Sequence, residues 1–568
     1  MGEGMMSDDD FPWNERADGE LPVVVAGGGI SGLYCAYRLA QRGRRVVVLE
    51  RSRDCWGGRI ETAEMDGFIA EYGPMRFELH LQPCLKKLLG ELGIETEPFS
   101  GPSAEVPEFP KYDLTPTEQG LDSLQLLRRG LLLAMGRVLA PDDPAGERDH
   151  QAWLDSLDDA AYDRIRRCVE LDGQFLWKMG FWNALSANGV LSHQALMKVR
   201  DTGTFYHMLP ENLNAAEWTI WWLRAMKTEG RTMQQLKGGS EVLTTRILER
   251  LRAFGTRVQL LDDCSVTAFR TEPGRADVVR VTLQRGEDGR VEHALASRLV
   301  LALPQWPLKQ LAGSLPAEIS GLLDTVVGFP MTKVFFVTEK PWWDYDQKPQ
   351  TRASRMPTRE VHYFRRPRDA DPDRHGMVLI YTDRPATEYW NVYVNDREGH
   401  DRAEIDGNDE LKAQFARWLA REAKGAIDHL REVLSRIPEN LRKDLGDALG
   451  ALLPNVAVSD NAIERFAEMT EDAVAQEIAD TVITWGIRDW SLPPYGAANH
   501  SWRPGVKSWE VMAALKQFRL EAGCPENVHI CGEAYSDYSG FIEGALRSAE
   551  AALATIPEPR AAAAVAAA

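Results

Sequence analysis

The stretch that most constrains what this chain can fold into is VVVAGGGISGLYCAYRLAQRGRRVVVLE, residues 23–50. Val23 to Ala26 is a short β-branched run, suited to the buried central strand of a parallel sheet. Gly27, Gly29 and Gly32 follow at G-x-G-x-x-G spacing. Leu33 to Gln41 then reads as a helix, Val46 to Leu49 as a second buried strand, and Glu50 ends it. Gly27 allows a tight turn, Gly29 lets the backbone approach a pyrophosphate, and Gly32 lets helix and sheet pack closely. The helix N-terminus offers oriented N–H groups to phosphates, and Glu50 is placed to accept hydrogen bonds from a ribose diol. Because the chain holds 46 glycines, the spacing alone decides little. Strand, turn, helix, strand and acid in that order point to a dinucleotide site.

At 568 residues the chain is long enough for two or three domains. A net charge of −19 argues against nucleic acid and anionic membrane as partners, since both require a basic face. The seven cysteines are odd in number and form no C-x-x-C pair, which suits buried thiols in a reducing compartment better than disulfides or zinc. No metal site is expected. The first residues are acidic and polar where a signal peptide is basic and then apolar, and no run approaches a membrane span. These readings predict a cytoplasmic protein, with residues 1–19 and 557–568 disordered.

Further along, Gly57-Gly58-Arg59 makes a tight turn that delivers a guanidinium, and Gly67 to Tyr72 leads as a hairpin segment into Gly73-Pro74-Met75-Arg76. Residues 79–95 read as a helix. From Thr115 to Thr228 the pattern is helical and tryptophan-rich, with Leu121 to Leu139 and Trp153 to Gly180 the clearest helices and no strand signal between them. Strand periodicity returns after Lys237-Gly238-Gly239 and the helix Glu241 to Phe254. It continues through Arg257 to Leu261, Cys264 to Arg270, Val278 to Leu283 and Arg298 to Leu303. The runs Thr332 to Val337 and Met377 to Thr382 mix with helices such as Asp409 to Ser435. Asn527 to Gly532 is a last short strand, followed by Glu533, by Gly540-Phe541-Ile542-Glu543-Gly544-Ala545 and by a closing helix, Ala545 to Ile556.

With these pieces the chain resembles the flavin amine oxidases, and among them the L-amino-acid oxidases. The paired ends, AGGGISG…LE…GGR and GE…GFIEGA, carry the resemblance, together with the GPMR tetrapeptide. YTDRPATEYW resembles the matching strand of bacterial tryptophan oxidases. The resemblance covers residues 22–95, 237–304, 328–343 and 485–555.

It implies an α/β fold: a Rossmann-like FAD domain from residues 20–80, 231–310 and 520–556, a helical part over 81–230, and a mixed-sheet substrate domain over 311–519. It also implies non-covalent FAD, because the covalent members carry a cysteine in the segment matching Pro494 to Gly496 and this chain does not. Gly27, Gly29, Ser31 and Gly32 would hold the pyrophosphate and Glu50 the adenosine ribose. Arg59 would lie beside pyrophosphate and flavin, Val266 would meet the adenine through its backbone, and Glu533 would bind the ribityl–pyrophosphate end. Arg51, Gly58, Gly73, Met75, Gly532 and Ile542 complete the implied cofactor set, with Arg76 and Phe541 shared between cofactor and substrate.

Four residues are implied in the chemistry, and each also has a plainer reading. Arg76 would grip a carboxylate through two parallel charge-assisted hydrogen bonds; otherwise it is a turn arginine paired with a nearby acid. Tyr381 would add a phenolic donor to the same carboxylate, or is an amphipathic core residue. Lys333 matches the family's lysine that holds a water near flavin N5, where a cation would favour electron transfer to oxygen; alone in an apolar run, it could instead guard an edge strand. Phe541 stands where the family usually has Trp or Tyr, and is either one wall of the substrate slot or a core residue. Trp485, Trp490, Tyr495, His500 and Trp502 cluster in a loop that could line the slot, and His500 reads as structural.

The reaction implied is hydride transfer from an L-amino acid, giving an imino acid, then a 2-oxo acid and ammonia, with oxygen reduced to hydrogen peroxide. The alternatives are an amino-acid 2-monooxygenase releasing the amide and, disfavoured by Arg76, an amine or polyamine oxidase. From a different class comes a flavin-free binding protein on the same scaffold. A small-molecule substrate, oxygen and a homodimer partner are expected.

Overall fold

The computed structural model describes residues 21–99, 112–202, 212–227, 233–286, 288–341, 350–351, 358, 360–366, 374–383, 386–395, 401–431 and 468–558. The termini expected to be disordered lie outside these, apart from Pro557 and Glu558.

A five-stranded parallel sheet organises one half of the molecule. Its order is Val528–Ile530, Arg298–Leu301, Val23–Ala26, Val46–Leu49 and Val258–Leu261. Val23–Ala26 and Val46–Leu49 are buried along their whole length, so they read as unbroken apolar runs and not as alternating ones. Val23 and Val25 pack with the helices Ile30–Gln41, Pro83–Leu92, Glu241–Arg252 and Ile542–Leu553. Val24 and Ala26 pack on the opposite side against the antiparallel strands Cys264–Glu272, Arg275–Arg285 and Arg290–Ala296. The first and last glycine-bearing segments of the chain therefore meet in one sheet. The helix over residues 79–95 is shorter than its apolar pattern suggested. Pro83 opens it and Gly93, at φ 67°, ends it.

The second half is built on a six-stranded sheet in the order Gln350–Thr351, Glu360–Arg365, Gly376–Thr382, Thr332–Thr338, Val482–Asp489 and Glu404–Ile405. Every pairing described in it is antiparallel, so the expected mixed character gives way on this point. One face, with Val334, Phe336 and Ile380, packs on Leu411 and Phe415 of the helix Asp409–Arg431. The other, with Phe335, Val337 and Leu379, faces Met65, Tyr72, Met75 and Trp490.

Two expectations for the helical block are corrected. Trp153 to Gly180 is not one helix. Gln151–Asp155 ends, and Asp158 caps a new helix, Asp159–Cys168, by accepting from Ala161 N at 2.8 Å. A hairpin, Glu170–Leu171 with Gln174–Phe175, then follows. Its turn residues Asp172 and Gly173 both have positive φ, the two-residue turn that Asp-Gly favours. Among the described residues no helix is long and apolar enough to cross a membrane. All seven cysteines are free thiols.

Candidate active site

One cavity of about 390 Å³ runs from the glycine loop to the inner face of the six-stranded sheet, within the range of small-molecule and cofactor sites. At one end its walls are largely backbone. Gly27 turns the chain at φ 105°, and a Cβ there would lie 2.6 Å from Ala302 O. A Cβ on Gly32 would lie 1.9 Å from Gly27 O, so only glycine lets the helix start this close to the strand. Over Gly29 the nearest atom to such a Cβ is 3.9 Å away, on Gly58, which leaves room above the backbone. The helix Ile30–Gln41 begins there, and Gly29 has no side chain with which to cap its N–H groups. Open amides, a helix N-terminus and clear space above a glycine suit a pyrophosphate. A second helix N-terminus, at Ile542 with Phe541 before it, borders the same cavity.

Glu50 sits at the end of its strand with its carboxylate held by two main-chain amides, Gly28 N at 2.7 Å and Ser52 N at 2.9 Å. Each oxygen keeps capacity to accept from a sugar hydroxyl. Burial pushes its carboxyl pKa up. Gly28, which spacing did not single out, is what allows this approach, because a Cβ there would meet Glu50 Oε2 at 2.9 Å and Trp56 at 2.6 Å. Ser31, Arg51, Gly58, Arg59, Gly73, Val266, Gly532 and Ile542 also line the cavity. Arg51 is paired with Asp401, on a segment that also receives a hydrogen bond from Ser52 Oγ at 2.7 Å.

Glu533 forms a buried hub. Its oxygens accept from His500 N, His500 Nδ1, Gly540 N and Arg59 Nη1 at 2.9 to 3.1 Å. Burial opposes ionisation here, but Arg59 and His500 outweigh it and hold the carboxyl at about 2. His500 is thus a buried partner of Glu533, in keeping with its structural reading.

At the other end the walls are side chains, and the sheet register decides which. Arg488, Lys333, Tyr381 and Glu360 stand directly opposite one another on four adjacent strands, so their side chains share one face. The strand Thr332–Thr338 is paired on both sides, so Lys333 is not an edge guard. It is 3% exposed, lines the cavity, and donates to Glu71 O at 2.7 Å and Gly73 O at 2.5 Å. Its ammonium also lies 4.8 Å from the centre of the Tyr381 ring. Burial, aided by Arg76, outweighs Glu71 and lowers the Lys333 pKa to about 7. Tyr381 lines the cavity, and its hydroxyl donates to Met331 Sδ at 3.3 Å. Phe541 forms a wall and stacks on Trp221 at 5.9 Å between ring centres.

Arg76 is placed differently from the expectation of a free carboxylate clamp. Its guanidinium holds Glu360 in a two-pronged pair, Nη1 to Oε1 at 2.6 Å and Nη2 to Oε2 at 3.3 Å, and it does not line the cavity although Gly73 and Pro74 do. Met75 is likewise off the cavity wall, buried beneath the sheet with Trp490 and Leu379. Trp490 and Tyr495 line the cavity, whereas Trp485 and Trp502 belong to separate packing clusters. Sequence reasoning missed Glu360, Arg488, Met331 and Trp221. Glu360 lay in the charged stretch PTREVHYFRR, where only long-range register could single it out.

A family model described as flavin containing amine oxidoreductase matches residues 30–406. Aplysianin-A of Aplysia kurodai is 21% identical, over 95% of this chain and 91% of that protein. An L-amino acid oxidase of Cerastes cerastes is 33% identical over 63% of this chain and 66% of that protein. Among solved structures, putrescine oxidase with putrescine bound superposes with a TM-score of 0.57 and 17% identity, over 94% of this chain and 98% of that one. Cyclohexylamine oxidase of Brevibacterium oxydans gives 0.54 at the same identity and coverage. At that identity the structural likeness speaks for the fold alone.

Proposed function

We propose, for a chain that belongs to the flavin containing amine oxidoreductases, that it oxidises the Cα–N bond of an L-amino acid, holds FAD non-covalently and passes the electrons to molecular oxygen. The balanced reaction takes an amino acid, oxygen and water to a 2-oxo acid, ammonia and hydrogen peroxide. FAD held in this cavity would supply the two-electron redox chemistry that removes hydride from the substrate's α-carbon.

The chain's own residues bind, orient and exclude water. The glycine loop and the amides of Ile30, Ser31 and Gly32 would hold the pyrophosphate, Glu50 the adenosine ribose, and Arg59 with Glu533 the region between pyrophosphate and substrate. Phe541, backed by Trp221, forms an aromatic wall. Lys333 places a titratable cation in a dry pocket, where its charge stabilises developing negative charge far more than it would in water.

The observation that carries this reading is the continuity of one cavity from the dinucleotide-type loop to Lys333 and Tyr381, with Arg76 on the adjoining turn. A carboxylate seated between the Tyr381 hydroxyl and Arg76 would turn the α-carbon of an amino acid toward the cavity. The L-amino-acid oxidases among the relatives support the same substrate class. One observation favours a second reading: because Glu360 fills the fork of Arg76, an amine without a carboxylate would enter the cavity unopposed.

A peroxide assay across the twenty L-amino acids and their decarboxylated amines tests the proposal. Peroxide from at least one amino acid, in excess over its amine, is expected. Activity on amines alone would sink the amino-acid reading. Flavin remaining with acid-precipitated protein would sink the non-covalent one.

A further inference from the structure

Glu360 stands at one end of the polar row, beside Tyr381. It is fully buried and tied to Arg76 through both oxygens. Its Oε1 is also 2.8 Å from His362 Nε2, two residues along the same strand and 1% exposed. Burial disfavours its charge, yet Arg76 and His362 hold the Glu360 carboxyl far below the ordinary range, so it is an anion at any working pH. Glu360 takes the Nη1–Nη2 edge of the Arg76 guanidinium, and that edge holds one carboxylate at a time. A carboxylate already seated there competes with the substrate's own.

We propose that Glu360 is the specificity-determining residue of this site: an internal carboxylate that holds the Arg76 fork in the resting protein and yields it to a substrate carboxylate, keeping His362 as its donor. The inference rests on the amino-acid reading of the site. Stranding a buried carboxylate is strongly unfavourable, and the hydrogen bond from His362 offsets part of that cost. Its ring lies between Phe99 and Phe364, with centroids 5.8 and 6.2 Å away, so it is held where Glu360 can keep it. The charged groups acting on His362 are Glu360, Arg76 and Lys333. Burial lowers its pKa against the pull of Glu360, which suits a neutral imidazole donating through Nε2. Substrate choice then depends on the difference between two carboxylates competing for one arginine. An amine that lacks a carboxylate does not enter that competition.

The test compares wild type, Glu360→Gln and His362→Phe, each as flavin-loaded protein, on the best L-amino acid and its decarboxylated amine, with kcat and KM measured separately. In Glu360→Gln the amino-acid-to-amine ratio of kcat/KM should rise about tenfold or more, through a lower KM for the amino acid. In His362→Phe the ratio should fall, because Glu360 then has no second donor. A ratio in Glu360→Gln that stays level or drops would overturn the proposal and leave Glu360 as a support that positions Arg76. Should Glu360→Gln fail to fold, His362→Phe decides: a fall in the ratio supports the proposal and a level one overturns it. If wild type oxidises only amines, the amino-acid reading fails separately. A gain of amino-acid oxidation in Glu360→Gln would then still identify the determinant, and no gain would overturn it.

Discussion

At the glycine loop, the cavity is walled by the backbone of Gly27, Gly29, Ile30 and Ser31. At the far end it is walled by side chains, among them Lys333 and Tyr381, which belong to a row of four set side by side by the strand segments 332–338, 360–365, 376–382 and 482–489. The first surface is set by what is missing, since a single Cβ on Gly32 would overlap the Gly27 carbonyl. The second is set by charge balance, since Arg488, Lys333 and Glu360 are all buried and all have partners. The first kind of site should fail sterically and all at once. The second should fail by degrees, in ways that depend on substrate and pH.

The sharpest way to break that contrast is Gly32→Ala. Overpacking a tight contact costs about 1–3 kcal/mol and more against backbone, and here the obstacle is a carbonyl 1.9 Å away. Loss of bound flavin should be near complete, read as the ratio of flavin to protein absorbance after gel filtration. Normal retention would show that the loop is not the pyrophosphate site.

Arg76→Ala should act at the other end with two separable costs. Losing one partner of a desolvated charge pair with the substrate is worth about 2–5 kcal/mol, or roughly 30- to 5,000-fold in kcat/KM for the amino acid. Leaving Glu360 buried without its arginine should also destabilise the fold by about 3–5 kcal/mol. Adding Glu360→Gln should restore most of the melting temperature and none of the amino-acid activity, which separates the two costs. If Arg76→Ala kept its flavin and oxidised the best amino acid within a few-fold of wild type, the clamp would be ruled out.

Lys333→Met should have a smaller effect, on one half-reaction. Removing a buried cation should slow reoxidation of the reduced enzyme by oxygen roughly 10- to 100-fold, with less effect on anaerobic reduction, as stopped-flow measurement would show. Burial lowers the wild-type lysine from 10.5 to about 7, so its charge is present below that pH and lost above it. The oxygen reaction of wild type should therefore fall as pH rises through about 7, while the Met variant stays flat. Between about 7 and 10.5 the unfolded chain binds this proton and the folded one does not, so Lys333 makes stability rise with pH over that window. An identical pH profile in both proteins would return Lys333 to a structural role.

The glycine spacing, the two β-branched strands and Glu50 were legible in the sequence because that site is local. Its strand, turn and helix are consecutive, and each residue type has one steric or hydrogen-bonding reason to be there. Lys333 and Tyr381 stood out in their strands, but which face they occupied did not, since side chains alternate and one step of register exchanges the faces. The Asp172-Gly173 turn carried a readable signal that the helical pattern around it concealed. Glu360 carried none. An acid in PTREVHYFRR has no local feature that distinguishes a solvated charge from a buried partner. Only the pairing of Glu360 with Tyr381, and of Tyr381 with Lys333, set it opposite Arg76. The chain order specified the dinucleotide-type loop, whereas the occupant of the Arg76 fork was decided by tertiary structure, because it depends on the register of strands far apart in sequence.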